Sequence, residues 1–136
     1  MVEKNSCQGY VTKHTVNHGD TSPLTLYTAG DGDGIIGCAI KVTETWDDGS
    51  KAFTVGDAAD PDGFAEDLAA SLEATGYYNI EHDEMGAYLW HVIGSHRRTH
   101  IYAAAGTIAA TFVGTGGDPN GSQGQCIVYL LHQDYK

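Results

Sequence analysis

Residues 35–64 read IIGCAIKVTETWDDGSKAFTVGDAADPDGF, and this stretch decides the fold. Its first half alternates between apolar and small or polar side chains, which is the period-two pattern of a half-buried β-strand. The next four residues, 47–50, combine two aspartates, a glycine and a serine, a composition that favours a turn. The apolar positions of the strand are Ile36, Cys38, Ile40 and Val42.

We therefore predict a β-hairpin around residues 47–50. One of its faces is apolar, and because a single hairpin cannot bury such a face alone, other strands must supply a second layer. The register of the hairpin places three pairs of residues opposite each other: Val42 and Val55, Glu44 and Phe53, and Trp46 and Lys51.

Further strand patterns follow along the chain. We predict an edge strand at 9–18, short strands at 24–27 and 77–81, and a strand at 107–113 with Ile108, Ala110 and Phe112 on one face. Residues 125–131 are almost continuously apolar, which is typical of a strand buried on both faces.

A second hairpin is predicted from residues 87–93 and 98–105. Its inner face carries two opposed pairs, Trp90 with Ile101 and Tyr88 with Ala103. Its outer face carries Leu89, His91, His100 and Tyr102.

One segment has helical spacing, which predicts a short helix or an irregular excursion. Phe64, Leu68 and Leu72 lie four residues apart, with Asp62 placed as an N-cap and Gly76 beyond the end. The sequence as a whole predicts an all-β fold, a jelly-roll-like antiparallel β-sandwich of about eight strands with one short helical insert. We expect one domain over residues 1–136, in which residues 1–8 are a candidate extended N-terminal arm.

Composition restricts the classes of partner. The chain of 136 residues has 18 acidic residues against 7 Lys and Arg, a net charge of −11, which argues against nucleic-acid binding and suggests that a protein partner presents a basic patch. No signal peptide or apolar run of membrane-spanning length is present in the sequence, so we expect no membrane attachment. Three cysteines at wide spacing do not form a disulfide framework and favour folding in a reducing cytoplasm.

Two groups of side chains are candidate metal ligands. Asp57, Asp60 and Asp62 lie in one loop, where their oxygens could hold Ca²⁺, although the spacing does not fit an EF-hand. The alternative is that these aspartates form Asx-turns and a helix cap. In the second hairpin His91 is predicted opposite His100, a pair that would bind Zn²⁺ with a third ligand such as His96 or Asp83; solvent-facing imidazoles are the alternative.

Catalytic and phosphate-binding motifs are absent from the sequence. There is no GxSxG nucleophile motif, and the glycine-rich residues 114–121 contain no lysine and do not open a helix. We therefore expect neither an enzyme nor a cofactor. Tyrosines spread over several strands could line a sugar-binding platform, but β-propensity selects the same residues.

The residues of the 35–64 stretch, together with the C-terminal CIVYLLHQ, resemble small virion proteins of tailed bacteriophages. That resemblance implies a jelly-roll-like decoration (cement) protein on the capsid surface, usually a homotrimer, which binds where major capsid protein subunits meet and carries no catalytic residues. A tail, neck or head-fibre-base protein and a carbohydrate-binding module are the alternatives. The matching positions are Val42, Thr43, Trp46, Asp47, Gly49, Thr54, Val55, Gly56, Asp57, Asp60, Pro61, Asp62 and Phe64.

Overall fold

The computed structural model describes residues 9–47, 52–66, 68, 70–79, 85–91, 96–97, 99–113 and 123–135. The helical structure in this part of the chain is one 3₁₀ turn, Ala70–Glu73. The strands in chain order are β1 (Gly9–Asn17), β2 (Leu24–Ala29), β3 (Asp33–Glu44), β4 (Ala52–Gly56), β5 (Gly76–Asn79), β6 (Trp90–His91), β7 (His96–Arg97), β8 (His100–Ile101), β9 (Gly106–Val113) and β10 (Gln125–Asp134).

Two antiparallel sheets form the body of the molecule. The larger sheet has the order β1-β10-β3-β5, with β8 paired to the start of β3. The smaller sheet has the order β2-β9-β4, and β6 and β7 form a separate ribbon. The predicted all-β antiparallel sandwich is confirmed, as is the edge position of residues 9–17, whereas the jelly-roll connectivity and the single domain over residues 1–136 stay predictions.

The buried side chains of both sheets form one hydrophobic core. Its aromatic centre is a stack of Phe53 on Phe112, with ring centroids 5.9 Å apart, and Trp46 meets both rings edge-on at 6.1 Å. Each fully buried phenylalanine stabilises the fold by roughly 1.5–3 kcal/mol relative to exposure. The predicted inward set of β9, namely Ile108, Ala110 and Phe112, is confirmed.

The predicted hairpin around residues 47–50 is wrong, because β3 and β4 lie in different sheets. Val42 is opposite Cys126 and Val55 is opposite Ala110. The backbone N–H of Trp46 donates to the Leu72 carbonyl at 3.0 Å, and its indole is 2% exposed. Burying this large ring between the layers makes the chain cross from one sheet to the other, which overrides the local turn signal. Lys51 and residues 48–50 lie outside the described residues.

The short helix predicted between Phe64 and Leu72 is wrong, and its alternative, an irregular excursion, is confirmed for the described residues, apart from the 3₁₀ turn Ala70–Glu73. Ala65 bridges Val55 in β4, and the N–H of Leu68 donates to the Phe53 carbonyl at 3.0 Å. Phe64, Ala65 and Leu68 therefore lie along β4 in an irregular extended conformation, Leu72 lies in the 3₁₀ turn, and Asp62 precedes no α-helix. Phe64, Leu68 and Leu72 are nevertheless fully buried. Their four-residue spacing therefore predicts correctly that these side chains are buried, but it does not predict the backbone conformation.

The second predicted hairpin has a different register. Trp90 pairs with Arg97, and Ile101 pairs with Gly34 in β3. Ile101 is consequently 47% exposed, while Leu89 and Tyr102 are buried, the reverse of the prediction. The cause is β3, whose long edge takes up residues 100–101 as a separate strand.

Strand β10 lies between β1 and β3 as an inner strand of the larger sheet, but only one of its faces is fully buried. Cys126, Val128, Leu130 and His132 point into the core, whereas the alternating residues are half-buried. The prediction of burial on both faces is therefore wrong, since no described segment covers the outer side. The predicted arm 1–8 and most of the loop 114–124 lie outside the described residues.

Candidate functional surface

Asp57 is the centre of a hydrogen-bonded cluster in the loop after β4. Its Oδ1 accepts the Tyr88 hydroxyl at 2.9 Å and the N–H groups of Ala59 at 3.1 Å and Asp60 at 3.0 Å. Its Oδ2 accepts the Tyr102 hydroxyl at 2.8 Å. The two backbone bonds form the Asx-turn that was the alternative to a metal site. The cluster thereby ties this loop to the segments that carry the two tyrosines.

Electrostatics keep this cluster in one protonation state. Burial raises the pKa of Asp57, but the hydrogen bonds it accepts outweigh burial and leave the pKa below its usual value. Burial, followed by the bond to Asp57, raises the pKa of Tyr88 to about 12 and that of Tyr102 further still. At neutral pH the carboxylate is charged and both hydroxyls keep their protons, so the cluster acts as a structural clasp.

The three predicted calcium ligands are only partly brought together. A hydrogen bond with Asp62, then burial and the charges of Asp62 and Asp57, raise the pKa of Asp60. The oxygens of Asp57 already accept four hydrogen bonds. They therefore contribute poorly to the 6–8 oxygen ligands that Ca²⁺ takes. Among the described residues no group of three or more His, Cys, Asp or Glu side chains is arranged to hold a metal ion.

The predicted zinc pair is not formed as expected. The backbone of His91 pairs with His96, and that of His100 pairs with Ile35. The imidazole of His100 stacks on Tyr88 with centroids 3.7 Å apart, which places it beside the cluster centred on Asp57. Asp83 and the side chains of His91 and His96 lie outside the described part of the structure.

A second polar cluster lies on the core-facing side of β1, the edge strand of the larger sheet. The sequence predicts no site at these residues. The Nε2 atoms of His132 and His14 lie 2.6 Å and 2.7 Å from the Thr12 hydroxyl oxygen. Tyr10 stacks on the His132 ring at 4.5 Å, and His132 is 1% exposed. Burial lowers the pKa of both histidines, and the charge of His14 lowers that of His132 further. Both imidazoles are therefore predominantly neutral near pH 7.

The outer face of the larger sheet is apolar and aromatic, with two lysines. Cross-strand neighbours share a face, so the register assembles rows that run across the sheet. We define the outer sheet face by the residues of these rows: Val11 beside Leu131; Lys13 beside Tyr129 and Ala39; Thr15 beside Ile127, Lys41 and Tyr77. Val11 is 55% exposed and Tyr77 is 75% exposed.

The outer face of the smaller sheet differs in chemistry. Thr25 of β2, Thr54 of β4 and Thr111 of β9 lie on it, and a shallow cleft of about 250 Å³ lies between Pro23, Asp57 and Pro61. The tyrosines that could line a sugar platform are divided among three places: Tyr88 and Tyr102 bond to Asp57, Tyr27 packs on His132, and Tyr77 and Tyr129 lie on the outer sheet face.

No protein-family model matches the chain, and no curated protein sequence matches it. Solved structures do. The same fold occurs in phage capsids. A chain of the acid-stable capsid of Helicobacter pylori bacteriophage KHP30 aligns with a TM-score of 0.58 and 11% identity, over 94% of this chain and 89% of that one. A chain of the cyanophage Pam1 capsid aligns with a TM-score of 0.53 and 12% identity, over 98% of this chain and 89% of that one.

At this level of identity the comparison establishes the fold, and the function must be argued separately. The predicted resemblance to phage virion proteins is confirmed at the level of the fold. No helix in the described part of the chain is long and apolar enough to cross a bilayer.

Proposed function

We propose that this chain is a structural protein of a phage virion that binds the outer surface of the capsid across junctions between major capsid protein subunits and stabilises the head. The observation that supports this most strongly is the extent of the structural match. Both alignments cover more than nine-tenths of this chain and 89% of the capsid chain, so the likeness involves the whole sandwich and not one shared motif.

We further propose how the chain assembles. The chain folds in the bacterial cytoplasm, associates as a homotrimer and then binds the major capsid protein without contacting nucleic acid. Closed homo-oligomers place identical docking surfaces around one axis, and several weak contacts made at once give much tighter binding than one. Its role is binding by surface area, without catalysis.

Stabilisation of the head follows from linkage. A protein that binds the assembled shell and not the free subunit stabilises the shell by about 2.7 kcal/mol per site when its free concentration is one hundred times its Kd. The test is calorimetry of shells that lack the protein, heated with and without added wild type. A higher melting temperature with the protein supports the proposal, and equal melting temperatures contradict it.

Location is tested separately. Density for the chain on the outside of the head, at capsomer junctions in an electron cryomicroscopy map of the particle, supports the decoration role. Density at the tail, the neck or the base of a head fibre would instead assign the chain to those structures.

A further inference from the structure

We propose that His132, Thr12 and His14 form an acid-sensitive latch, which holds the edge strand β1 on β10 at neutral pH and releases it when the two imidazoles gain protons. This inference goes beyond the proposed function and does not depend on it. Two observations support it: one hydroxyl is shared by two imidazoles, and a buried ring nitrogen has no hydrogen-bond partner among the described residues.

The Thr12 hydroxyl lies between the two imidazoles and has a single proton to donate. The Nε2 atoms of His132 and His14 lie 2.6 Å and 2.7 Å from its oxygen. If the hydroxyl donates to one of these nitrogens, the other nitrogen must carry a proton and donate to the hydroxyl oxygen. At neutral pH the three side chains therefore form a directional chain of two hydrogen bonds.

Burial decides the direction of this chain. His132 is fully buried, and its Nδ1 has no partner among the described residues. A proton on Nδ1 would be an unpaired buried donor, whereas a bare Nδ1 leaves only a lone pair unpaired, which is the less costly of the two. The proton of His132 is therefore on Nε2, which donates to Thr12. The Thr12 hydroxyl then donates to Nε2 of the half-buried His14, whose own proton is on Nδ1.

The surrounding strands contribute further titratable groups. Those that interact with the latch are Tyr10 of β1, Tyr27 of β2, Asp33 of β3 and Asp134 of β10. The hydrogen bond with Tyr27, followed by burial, raises the pKa of Tyr10, so its hydroxyl stays neutral. Asp33 raises the pKa of His132, but burial and the charge of His14 outweigh it. Asp134 is exposed and acts on Tyr10. No carboxylate therefore cancels the cost of a cation at His132.

Protonation disrupts the latch at both histidines. A proton added to Nε2 of His14 turns the Thr12 O–H away from that nitrogen. A proton added to Nδ1 of His132 creates the unpaired buried donor that the neutral state avoids. The two cations would lie no farther apart than the sum of their distances to the shared oxygen, and at this range they repel each other. Release of β1 exposes both rings to water. Because burial lowers the pKa of both histidines in the latch, protons favour the released strand below the usual pKa of 6.5.

Strand β1 is the one that gives way. It pairs on one side only, with β10, whereas β10 lies between β1 and β3. The His18 N–H donates to the Gly124 carbonyl just before β10, and in antiparallel pairing every second residue of an edge strand makes such bonds. The N–H groups of β1 that bond to β10 are therefore those of Tyr10, Thr12, His14 and Val16. Exchange of these four amide protons reports whether β1 is in place.

Hydrogen exchange followed by NMR between about pH 6.5 and pH 5.5 tests the latch. Rates are corrected for intrinsic chemical exchange at each pH. A histidine that gains its proton only in the released strand raises the opening constant by about fivefold over this interval, given its usual pKa of 6.5. We expect a rise of more than fivefold at β1, because both histidines contribute. The internal control is β5, the opposite edge of the same sheet, which opens without exposing either ring and should not change. No rise at β1, or an equal rise at β5, would overturn the latch.

Two variants assign the effect to its residues. His14→Gln removes one protonation site and keeps a side chain that can bond to Thr12, so the rise at β1 should fall to about fivefold. His18→Gln is the matched control, because His18 lies in the turn beyond β1, and it should show the wild-type rise. Circular dichroism verifies that both variants fold. A wild-type rise in His14→Gln would overturn the part assigned to His14.

The proton positions can be read in the wild-type protein. Long-range nitrogen–proton correlation spectra of the imidazoles at neutral pH should show the Nε2–H tautomer of His132 and the Nδ1–H tautomer of His14. The opposite tautomers, or a cationic ring at either position, would overturn the proposed hydrogen-bond chain.

Discussion

Replacing Asp57 by alanine should cost this protein about 3 kcal/mol of stability. The carboxylate accepts four hydrogen bonds, two from tyrosine hydroxyls and two from backbone N–H groups. At about 1 kcal/mol net for each bond, the sum is about 4 kcal/mol. Water can replace part of this at the half-exposed Tyr88, whereas the hydroxyl of the buried Tyr102 loses its partner outright, so we expect about 3 kcal/mol.

The assay is urea unfolding followed by far-UV circular dichroism, with a thermal melt as a second measure. For a chain of this length about 3 kcal/mol corresponds to a fall in Tm of roughly 10 °C, and a domain with 5–15 kcal/mol of stability remains folded at 25 °C. The matched control is Glu66→Ala, an exposed carboxyl shortly after the same loop, whose loss should cost less than about 0.5 kcal/mol.

A double-mutant cycle separates the clasp from general loop damage. If the Asp57–Tyr102 bond is the cause, Asp57→Ala and Tyr102→Phe together should cost less than the sum of the single variants, by about 1 kcal/mol or more. The pH dependence adds a signature, because the folded-state pKa of Asp57 lies below its usual 3.8. The stabilisation is complete above that value and is lost as pH falls through the lower folded-state pKa. Additive losses, or an Asp57→Ala variant as stable as the Glu66→Ala control, would refute the reasoning.

Two further predictions concern the core and the histidine cluster. Gly124 has φ of +150°, and a Cβ there would collide with the Trp46 indole, so Gly124→Ala should lose about 2 kcal/mol in urea unfolding, while Gly19→Ala, with no atom within 4 Å, should match wild type. The lowered pKa of His132, caused first by burial, means that stability is complete above the unfolded value of 6.5 and falls as pH drops below it. His132→Gln should therefore show a smaller loss of stability between about pH 8 and pH 5.5, and an unchanged slope would contradict this cause.

The strands and their buried faces could be predicted from the sequence because alternation encodes which side chains point inward. Ile108, Ala110 and Phe112 are an example, and all three are buried. Alternation does not encode which strand lies alongside. The partner of β3 is β10, which pairs Ile40 with Val128, a residue far along the chain, and nothing in the local pattern points to it.

The two wrong local predictions have the same origin. Both predictions follow from the conformation that a short segment favours in isolation: a turn at residues 47–50 and a helix from Phe64 to Leu72. In the folded chain, burial of Trp46 and hydrogen bonds from the 64–72 segment to β4 stabilise other conformations, and tertiary contacts outweigh preferences of this size.

The candidate surfaces were predictable to different degrees. The Asx-turn of Asp57 could be anticipated from the spacing of its aspartates, but its bonds to Tyr88 and Tyr102 join residues that no sequence signal connects. The outer sheet face needed the register, since Lys13, Lys41 and Tyr77 come from three separate strands. Only the pairing across β10 and β3 makes them neighbours.

The pairing of β1 with β10 also determines how the molecule responds to force. Gly9 lies opposite Gln133, so the two ends of the described chain leave the sheet side by side. Tension applied between them breaks the hydrogen-bonded pairs of β1 and β10 one after another from Gly9 towards Asn17. Shear would instead load all of these pairs together. The first strand is therefore the part that peels away under a pull, while the packed aromatic centre beneath stays closed.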